Sequence, residues 1–401
     1  MMMQATQMDE GDTWFSLHLT HPLSYTETRS RPENRTDICK DPMDTDLPNT
    51  RKAIVVHSPH SGKAAQLQQA IALLRENHVE VADVLSIATL DGLGAQGPQW
   101  QEQGIDIAVA AGGDGLIGGV TTHIAESGPA LGIVPLGTSN DVARSLRIPQ
   151  DLPAAARVIA TGQIATVDVG VARPAQQAPY TAAEQHGHAP KTHRHGFFAH
   201  ALTVGINVEF ARMATNVVTR QRFGRMTYPL AAFEVLRRHE ALEMELHFTG
   251  LSLAASTGNI QSLKERAELK CRTLQATVIN APIFGGMWQI GVPKATLHDG
   301  LLDILVIEDI DLESLNATVA RFFNRTEQRP EAPQGWHLQY PDLQGAELSG
   351  IPGIHHVQAR GVTITTLSGP QDVTLDGEIR GQTPVDVQMA AERLRVVVPH
   401  S

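Results

Sequence analysis

The run "AVAAGGDGLIGGV", residues 108–120, constrains this chain more than any other stretch. Small apolar residues lead into Gly112-Gly113-Asp114-Gly115, and Gly118 and Gly119 follow. A turn closing a buried strand needs one or two glycines. An acid set among three points to an awkward bend or to a bulky anion approaching the backbone. A strand that ends in glycines and enters a helix presents a row of backbone N–H groups at the positive end of the helix dipole, where phosphate binds. Without Cβ atoms, phosphate oxygens can come close to the chain. Asp114 repels a bare phosphate, so it suggests a metal–nucleotide complex. The alternative is a tight strand-to-helix turn carrying a surface aspartate.

The flanking sequence places this run in an alternating pattern. "KAIVVHS" reads as a buried strand. "GKAAQLQQAIALLRENH" follows with Leu67, Ala70, Ile71 and Leu74 at helical spacing. "EVADVL", "IDIAVAAGG" and "ALGIVPLG" are further strands, with a helix from about Leu116 to Glu126 between the last two. "TSNDVARSL" opens a short helix that Thr138, Ser139 or Asn140 could cap, and "DLPAAARVIATG" is another helix. Strands alternating with helices predict an open parallel α/β sheet. From Ile164 onward most runs read as strands, and helical pattern returns only at 209–239 and 312–324. The polar stretches 172–195 and 255–266 read as loops. Residues 1–50 are polar and punctuated by prolines, a disordered or loosely packed tail. The expected organisation is a tail over 1–50, an α/β domain over 51–163 and a β-rich domain over 164–401, with the last strand free to return to the first domain.

Composition removes several function classes. The 401 residues are 42% apolar, enough for a sizeable core. Aromatics at 4% and a net charge of −11 argue against a nucleic-acid surface. Cys39 and Cys271 read as free thiols, and the histidine-rich "HGHAPKTHRHGFFAH" (186–200) as a solvated loop, since no acid or cysteine completes a ligand set. No stretch approaches the roughly 20 apolar residues of a membrane span. The first residues lack the basic start and apolar core of a signal peptide, so a cytoplasmic protein is expected.

Phosphate motifs can then be compared. "HSPHSGKAA" has Gly62-Lys63, but Ala64 follows and His57 stands where a Walker loop needs its first glycine. Gly113, Gly115 and Gly118 fit G-x-G-x-x-G, but the next strand ends in "VPLGTSN" with no acid for a ribose. That second turn is informative in itself. Neighbouring parallel strands put their C-terminal ends on one edge, so Gly112–Gly115, Gly137–Asp141 and "SPHSG" (58–62) can face one crevice.

"SPHSGK", "AAGGDGLIGGV" and "VPLGTSNDVARSL", in that order and spacing, resemble the diacylglycerol kinase catalytic domain, most closely its soluble bacterial lipid-kinase branch. "RFGRMTYPLAAF" (222–233), "VINAPIFGGMWQIGVPKATLHDGLLDILVI" (278–307) and "VTLDGEIRGQTPVDVQMAAERLRVVVP" (373–399) extend the likeness to about residues 52–399. The resemblance implies a nucleotide-binding α/β domain joined to a β-sandwich-like domain, with the active site in the cleft between. It implies ATP phosphates over Gly112, Gly113, Asp114, Gly115, Leu116 and Gly118, and nucleotide contact at Gly137, Thr138, Asn140 and Asp141. Ser58 and Gly62 would border the nucleotide, with Thr89 near it. Asp299 would hold Mg²⁺ with backbone carbonyls near Thr296 and Leu301. In "LDGE" a carboxylate would take the proton of the lipid hydroxyl. Asp376 is favoured as that base, with Glu378 aiding or ligating metal, although Asp-Gly is also the commonest hairpin signal.

The chain departs from the family pattern in three places. Ser58 stands where the family usually has Asn, Leu116 where it has Thr, and Met287 where it has a third glycine. Leu116 removes a hydroxyl worth about 1 kcal/mol to a phosphate or metal. The implied activity is ATP-dependent phosphorylation of diacylglycerol or a related lipid at a membrane surface. The arginines of 209–239 suit an anionic surface, and a homodimer is left open. An NAD kinase-like enzyme and an inactive nucleotide- or lipid-binding regulator are the alternatives.

Overall fold

The computed structural model describes residues 50–58, 65–93, 96–125, 128–175, 196–206, 208, 240–254, 260–284, 290–292, 295–309 and 354–400. The α/β part comprises β1 (Lys52–His57), α1 (Ala65–Glu76), β2 (Glu80–Ser86), α2 (Ile87–Leu93), α3 (Gly97–Glu102), β3 (Ile107–Gly112), α4 (Asp114–Ile124), β4 (Ala130–Pro135), α5 (Asp141–Ser145), α6 (Leu152–Thr161) and β5 (Gln163–Val167). The β-rich part comprises β6 (Gly170–Pro174), β7 (Phe197–Phe198), β8 (Ala201–Gly205), β9 (Leu242–Ala254), β10 (Ile260–Ile279), β11 (Ile283–Phe284), β12 (Ile290–Gly291), β13 (Leu302–Glu308), β14 (Ile354–Thr366), β15 (Asp372–Leu375), β16 (Glu378–Gln382) and β17 (Val385–Met389). The last strand, β18 (Leu394–Val398), lies in the first sheet.

The first sheet has the order β2-β1-β3-β4-β18-β5. The first four strands are parallel, and β18 runs parallel to β4 and antiparallel to β5. Helices cover both faces, so β3 and β4 are buried along their whole length and read as continuous apolar runs rather than alternating ones. Ile54, Val56, Ala108, Ala110, Leu131 and Ile133 pack on one face toward Ile117, Val120 and Ile124 of α4. Ala53, Val55, Ile107, Val109 and Val134 pack on the other toward Leu67, Ile71 and Leu74 of α1 and Ile159 of α6.

The second sheet runs β16-β15-β8-β10-β13-β14-β17-β6-β7. The long strands β10 and β14 are flanked by β13 over part of their length and by β9 over the rest, so β9 pairs both. Its core includes Leu202, Val204, Phe248, Val278, Ile304, Val306 and Val387.

Three expectations need correction here. Part of the 255–266 loop is strand, because 260–266 pairs with 249–254 in the β9–β10 ladder, with a register shift between Ile260 and Leu263. Residues 172–174 of the expected 172–195 loop are the end of β6, and Asp303 in β13 is buried and hydrogen-bonded at 2.6 Å to the His356 ring. Burial pushes the Asp303 carboxyl up, and the His356 contact opposes that rise. His200, read as part of a solvated loop, is buried. Cys271 is a free, buried thiol pushed up to about 12 by burial and by nearby Glu308. Cys39 and the rest of residues 1–49, Gly62, Met287, residues 186–195 of the histidine-rich run and both segments of returning helical pattern lie outside the described residues.

Candidate active site

Register brings the C-terminal ends of the parallel strands to one edge, with His57 opposite Ala111 and Ser86, and Gly112 opposite Pro135. The turns leaving β3 and β4 abut. The Leu136 N–H donates to the Gly112 carbonyl at 3.0 Å. A Cβ on Gly137 would stand 2.4 Å from the Gly113 Cα, and one on Gly113 would stand 3.1 Å from the Gly137 Cα. Backbones this close leave no room for a side chain at Gly137 and make one at Gly113 tight. Gly113 is the N-cap of α4. The first helical N–H groups, of Asp114 and Gly115, have no intrahelical acceptor and point out of the helix start. Thr138 is exposed beside them, and Ser58 is half-buried just beyond β1.

Asp114 acts differently from the sequence expectation. It is buried, and its two carboxylate oxygens accept the N–H groups of Asp141 at 3.1 Å and Val142 at 3.0 Å. It caps α5 from the neighbouring turn, a task the sequence assigned to Thr138, Ser139 or Asn140. Asn140 is the formal N-cap, but its φ of 51° is left-handed and its side chain makes no cap bond. The Asn140 amide instead donates to Gly137 O at 3.3 Å and Gln150 Oε1 at 3.0 Å. Leu116 needs correction too. Its side chain joins the core, and its N–H is accepted by Gly113 O at 3.0 Å, so neither side chain nor amide is offered to a phosphate. Thr89 lies on α2, where its hydroxyl bonds Ser86 Oγ at 2.8 Å.

The second sheet delivers "LDGE" to the same place. Asp376 and Gly377 have φ of 49° and 87°, a two-residue hairpin turn between β15 and β16 that only Asp-Gly-like pairs adopt readily. The hairpin reading and the functional reading are therefore both met. The turn lies along one face of α4. A Cβ on Gly118 would stand 2.0 Å from Asp376 Oδ2, and one on Gly115 would stand 3.2 Å from both Asp376 O and Glu378 Oε1. Gly118 is thus explained by Asp376, not by phosphate.

The two acids of the turn differ sharply. Asp376 is buried and accepts three backbone N–H groups, from Ala199 at 3.0 Å, His200 at 2.9 Å and Ala201 at 3.0 Å. Burial dominates and pushes its carboxyl up to about 6, against the opposing effects of His200 and the three N–H bonds. Glu378 is exposed, and its Oε2 accepts from Arg380 Nη2 at 2.7 Å and Nε at 3.2 Å. His200 Nε2 lies 3.5 Å from Asp141 Oδ2, so this residue touches the base of the nucleotide turn with its ring and Asp376 with its amide. Nothing in the sequence singled out His200 or Arg380, because each meets its partners only through tertiary contact.

The predicted metal turn is elsewhere in the site's framework. Asp299 Oδ1 accepts the Leu301 N–H at 3.0 Å, and Thr296 Oγ1 accepts from the His298 N–H at 3.4 Å. Gly300 N–H donates to Asp168 Oδ2 at 2.9 Å, which ties the turn to the connector between β5 and β6. Burial, reinforced by Asp303 and Asp168, pushes the Asp299 carboxyl up.

Fold and site together define a two-domain kinase scaffold, an α/β half with abutting glycine turns and a β-rich half that supplies acids. The family model described as the diacylglycerol kinase catalytic domain matches residues 52–172, and the one described as the YegS C-terminal NAD kinase beta sandwich-like domain matches residues 201–398. The chain carries a diacylglycerol kinase catalytic domain and is a lipid kinase of that type. A protein named diacylglycerol kinase from Staphylococcus saprophyticus is 23% identical over 360 residues, covering 87% of this chain and 96% of the relative. One from Staphylococcus aureus strain Newman is 23% identical over 364 residues, covering 87% and 93%. A crystal structure of a diacylglycerol kinase from Bacillus anthracis superimposes with a TM-score of 0.54 at 17% identity, covering 87% of this chain and 97% of that one, which establishes the shared fold.

Proposed function

We propose that this protein transfers the γ-phosphate of Mg·ATP to the hydroxyl of diacylglycerol or a lipid of the same class. The observation that carries this reading is the contact of Gly113 with Gly137 at the start of the same helix whose Gly115 and Gly118 meet the Asp376–Glu378 turn. Phosphoryl transfer is mainly positioning and charge stabilisation. The amides of Asp114 and Gly115 at the start of α4 hold the phosphates, and exposed Thr138 meets the nucleotide from the adjoining turn. Asp141 and Asn140 shape that turn, and Ser58 and Thr89 border it on the same edge.

Glu378 takes the proton. The lipid oxygen attacks the γ-phosphorus, the bond to the ADP bridging oxygen breaks, and the hydroxyl proton passes to Glu378. Asp376 is the poorer base despite the sequence preference for it. Its oxygens are already aimed at three N–H groups and at Gly118, with no approach left for a lipid hydroxyl. It fastens the second domain onto α4 instead.

Asp299, with carbonyls near Thr296 and Leu301, offers an oxygen-only donor set, which suits a hard cation such as Mg²⁺. The Asp299 carboxylate is solvent-accessible, and the negative charges of Asp168 and Asp303 nearby fit a positive charge there. A bound Mg²⁺ would neutralise phosphate charge or brace the turn. Among the described residues no helix is long and apolar enough to cross a membrane, so the lipid is met from the bilayer surface.

The test is incubation with labelled Mg·ATP and a panel of diacylglycerol, phosphatidylglycerol, ceramide, sphingoid base and NAD. New label on a lipid supports the reading. ATP binding with no transfer to any of them favours a regulator instead, and label on NAD favours the other kinase.

A further inference from the structure

We propose that Arg380 is a phosphate-contacting residue of this site, bridging Glu378 to the γ-phosphoryl group of the nucleotide. The inference rests on the kinase reading above and adds a residue to it. Arg380 lies within β16, two residues from Glu378, with its guanidinium toward α4. Its Nε and Nη2 form a fork on a single oxygen, Glu378 Oε2. Its Nη2 also lies 3.6 Å from where a Cβ on Gly119 would stand, so the guanidinium rests against the helix whose first turn would hold the phosphates. Gly119 lies about 6 Å along the axis from Gly115, within the reach of one arginine side chain.

Charge gives the reason for an arginine here. Asp114, Asp141, Asp376 and Glu378 all crowd the cradle, and a triphosphate adds several more negative charges. Among the described residues, the other basic side chains near the cradle already have partners. His200 faces Asp141, and Arg144 Nε donates to Ser139 O at 3.0 Å. Arg380 spends two of its five N–H groups on Glu378, which leaves a planar edge for phosphoryl oxygens. The Glu378 side chain is 56% exposed and that of Arg380 22% exposed. A pair this open adds little to stability, so its geometry is better explained by what enters the cleft. With a phosphoryl group in place, one guanidinium would hold Glu378 beside the transferred group and neutralise charge developing on that group.

The test compares wild type with Arg380→Gln, Arg380→Lys and Glu378→Gln. Mg·ATP and Mg·ADP affinities are measured by titration calorimetry, and turnover is measured on the lipid found above. Arg380→Gln is expected to weaken ATP about tenfold while ADP changes less than twofold, and to lower kcat roughly 100-fold. Arg380→Lys restores ATP affinity in part, since a point charge replaces a fork. Glu378→Gln keeps the preference for ATP over ADP while losing turnover, which separates phosphate contact from simple positioning of the base. If Arg380→Gln leaves both affinities unchanged, or weakens ATP and ADP equally, the proposal is wrong. If the wild-type protein binds neither nucleotide, the kinase reading itself fails, and that result is distinguishable from the first two.

Discussion

Gly118 shows how a single missing methyl can join two domains. Asp376 Oδ2 occupies the space a side chain would need, at 2.0 Å from the position of a Cβ. Gly118→Ala must push the hairpin off α4, and overpacking of this kind costs roughly 2 kcal/mol. Thermal unfolding should show the loss, and turnover should fall far more than stability does, because Glu378 moves with the hairpin. Asp376 itself makes a pH prediction. Its folded pKa, about 6, lies above the usual carboxylate range. Between about pH 4 and pH 6 the folded protein keeps a proton that the unfolded chain has lost, so stability contributed by this group falls as pH rises through that window. Two pKa units correspond to roughly 3 kcal/mol. Urea unfolding across pH 4–7 should show this decline in wild type and not in Asp376→Asn. That variant should be less stable at pH 7, since its amide NH₂ opposes the Ala199 N–H and leaves a buried donor unpaired, a loss of roughly 1–3 kcal/mol.

At the scale of elements, the strands and helices of the first half were readable because they carry period and punctuation. Leu67, Ala70, Ile71 and Leu74 announced α1, and all four are buried. What periodicity cannot convey is which turn caps which helix. Asp114 read as a nucleotide ligand, yet it caps α5 from 27 positions upstream. Asp114→Asn keeps one acceptor and loses the other, so about 1 kcal/mol of cap stabilisation should go. Hydrogen exchange at Asp141 and Val142 should quicken selectively, and the ATP KM should rise as the turn loosens. Part of the β9–β10 hairpin is hidden from the sequence for a related reason. The polar residues of 260–266 pattern like a loop, and only pairing with 249–254 makes them a strand. At the site, the glycines and acids were visible as motifs, whereas the division of labour between Asp376 and Glu378 depends on the amides of 199–201, which no local spacing reveals.

For the whole molecule, the main feature is that the first sheet is completed by β18. Leu394, Val396, Val397 and Val398 are buried there, each worth about 2 kcal/mol. Their sum is comparable with the total stability of an ordinary domain. Ending the chain after Arg393, or placing Asp at Val396, should therefore abolish cooperative folding of the α/β half as well as activity, visible as loss of a single unfolding transition. β5 and β18 are antiparallel partners, with Val167 opposite Leu394. The two connectors that leave this pair are clasped by Arg393 Nε on Asp168 Oδ1 at 3.0 Å. Everything from Asp168 to Arg393 is thus one long excursion from a neighbouring pair of strands. Closing such an excursion depends only weakly on its length. The β-rich half is in effect a cassette spliced in at two adjacent seams, so it can be traded or enlarged while the sheet that receives it stays intact.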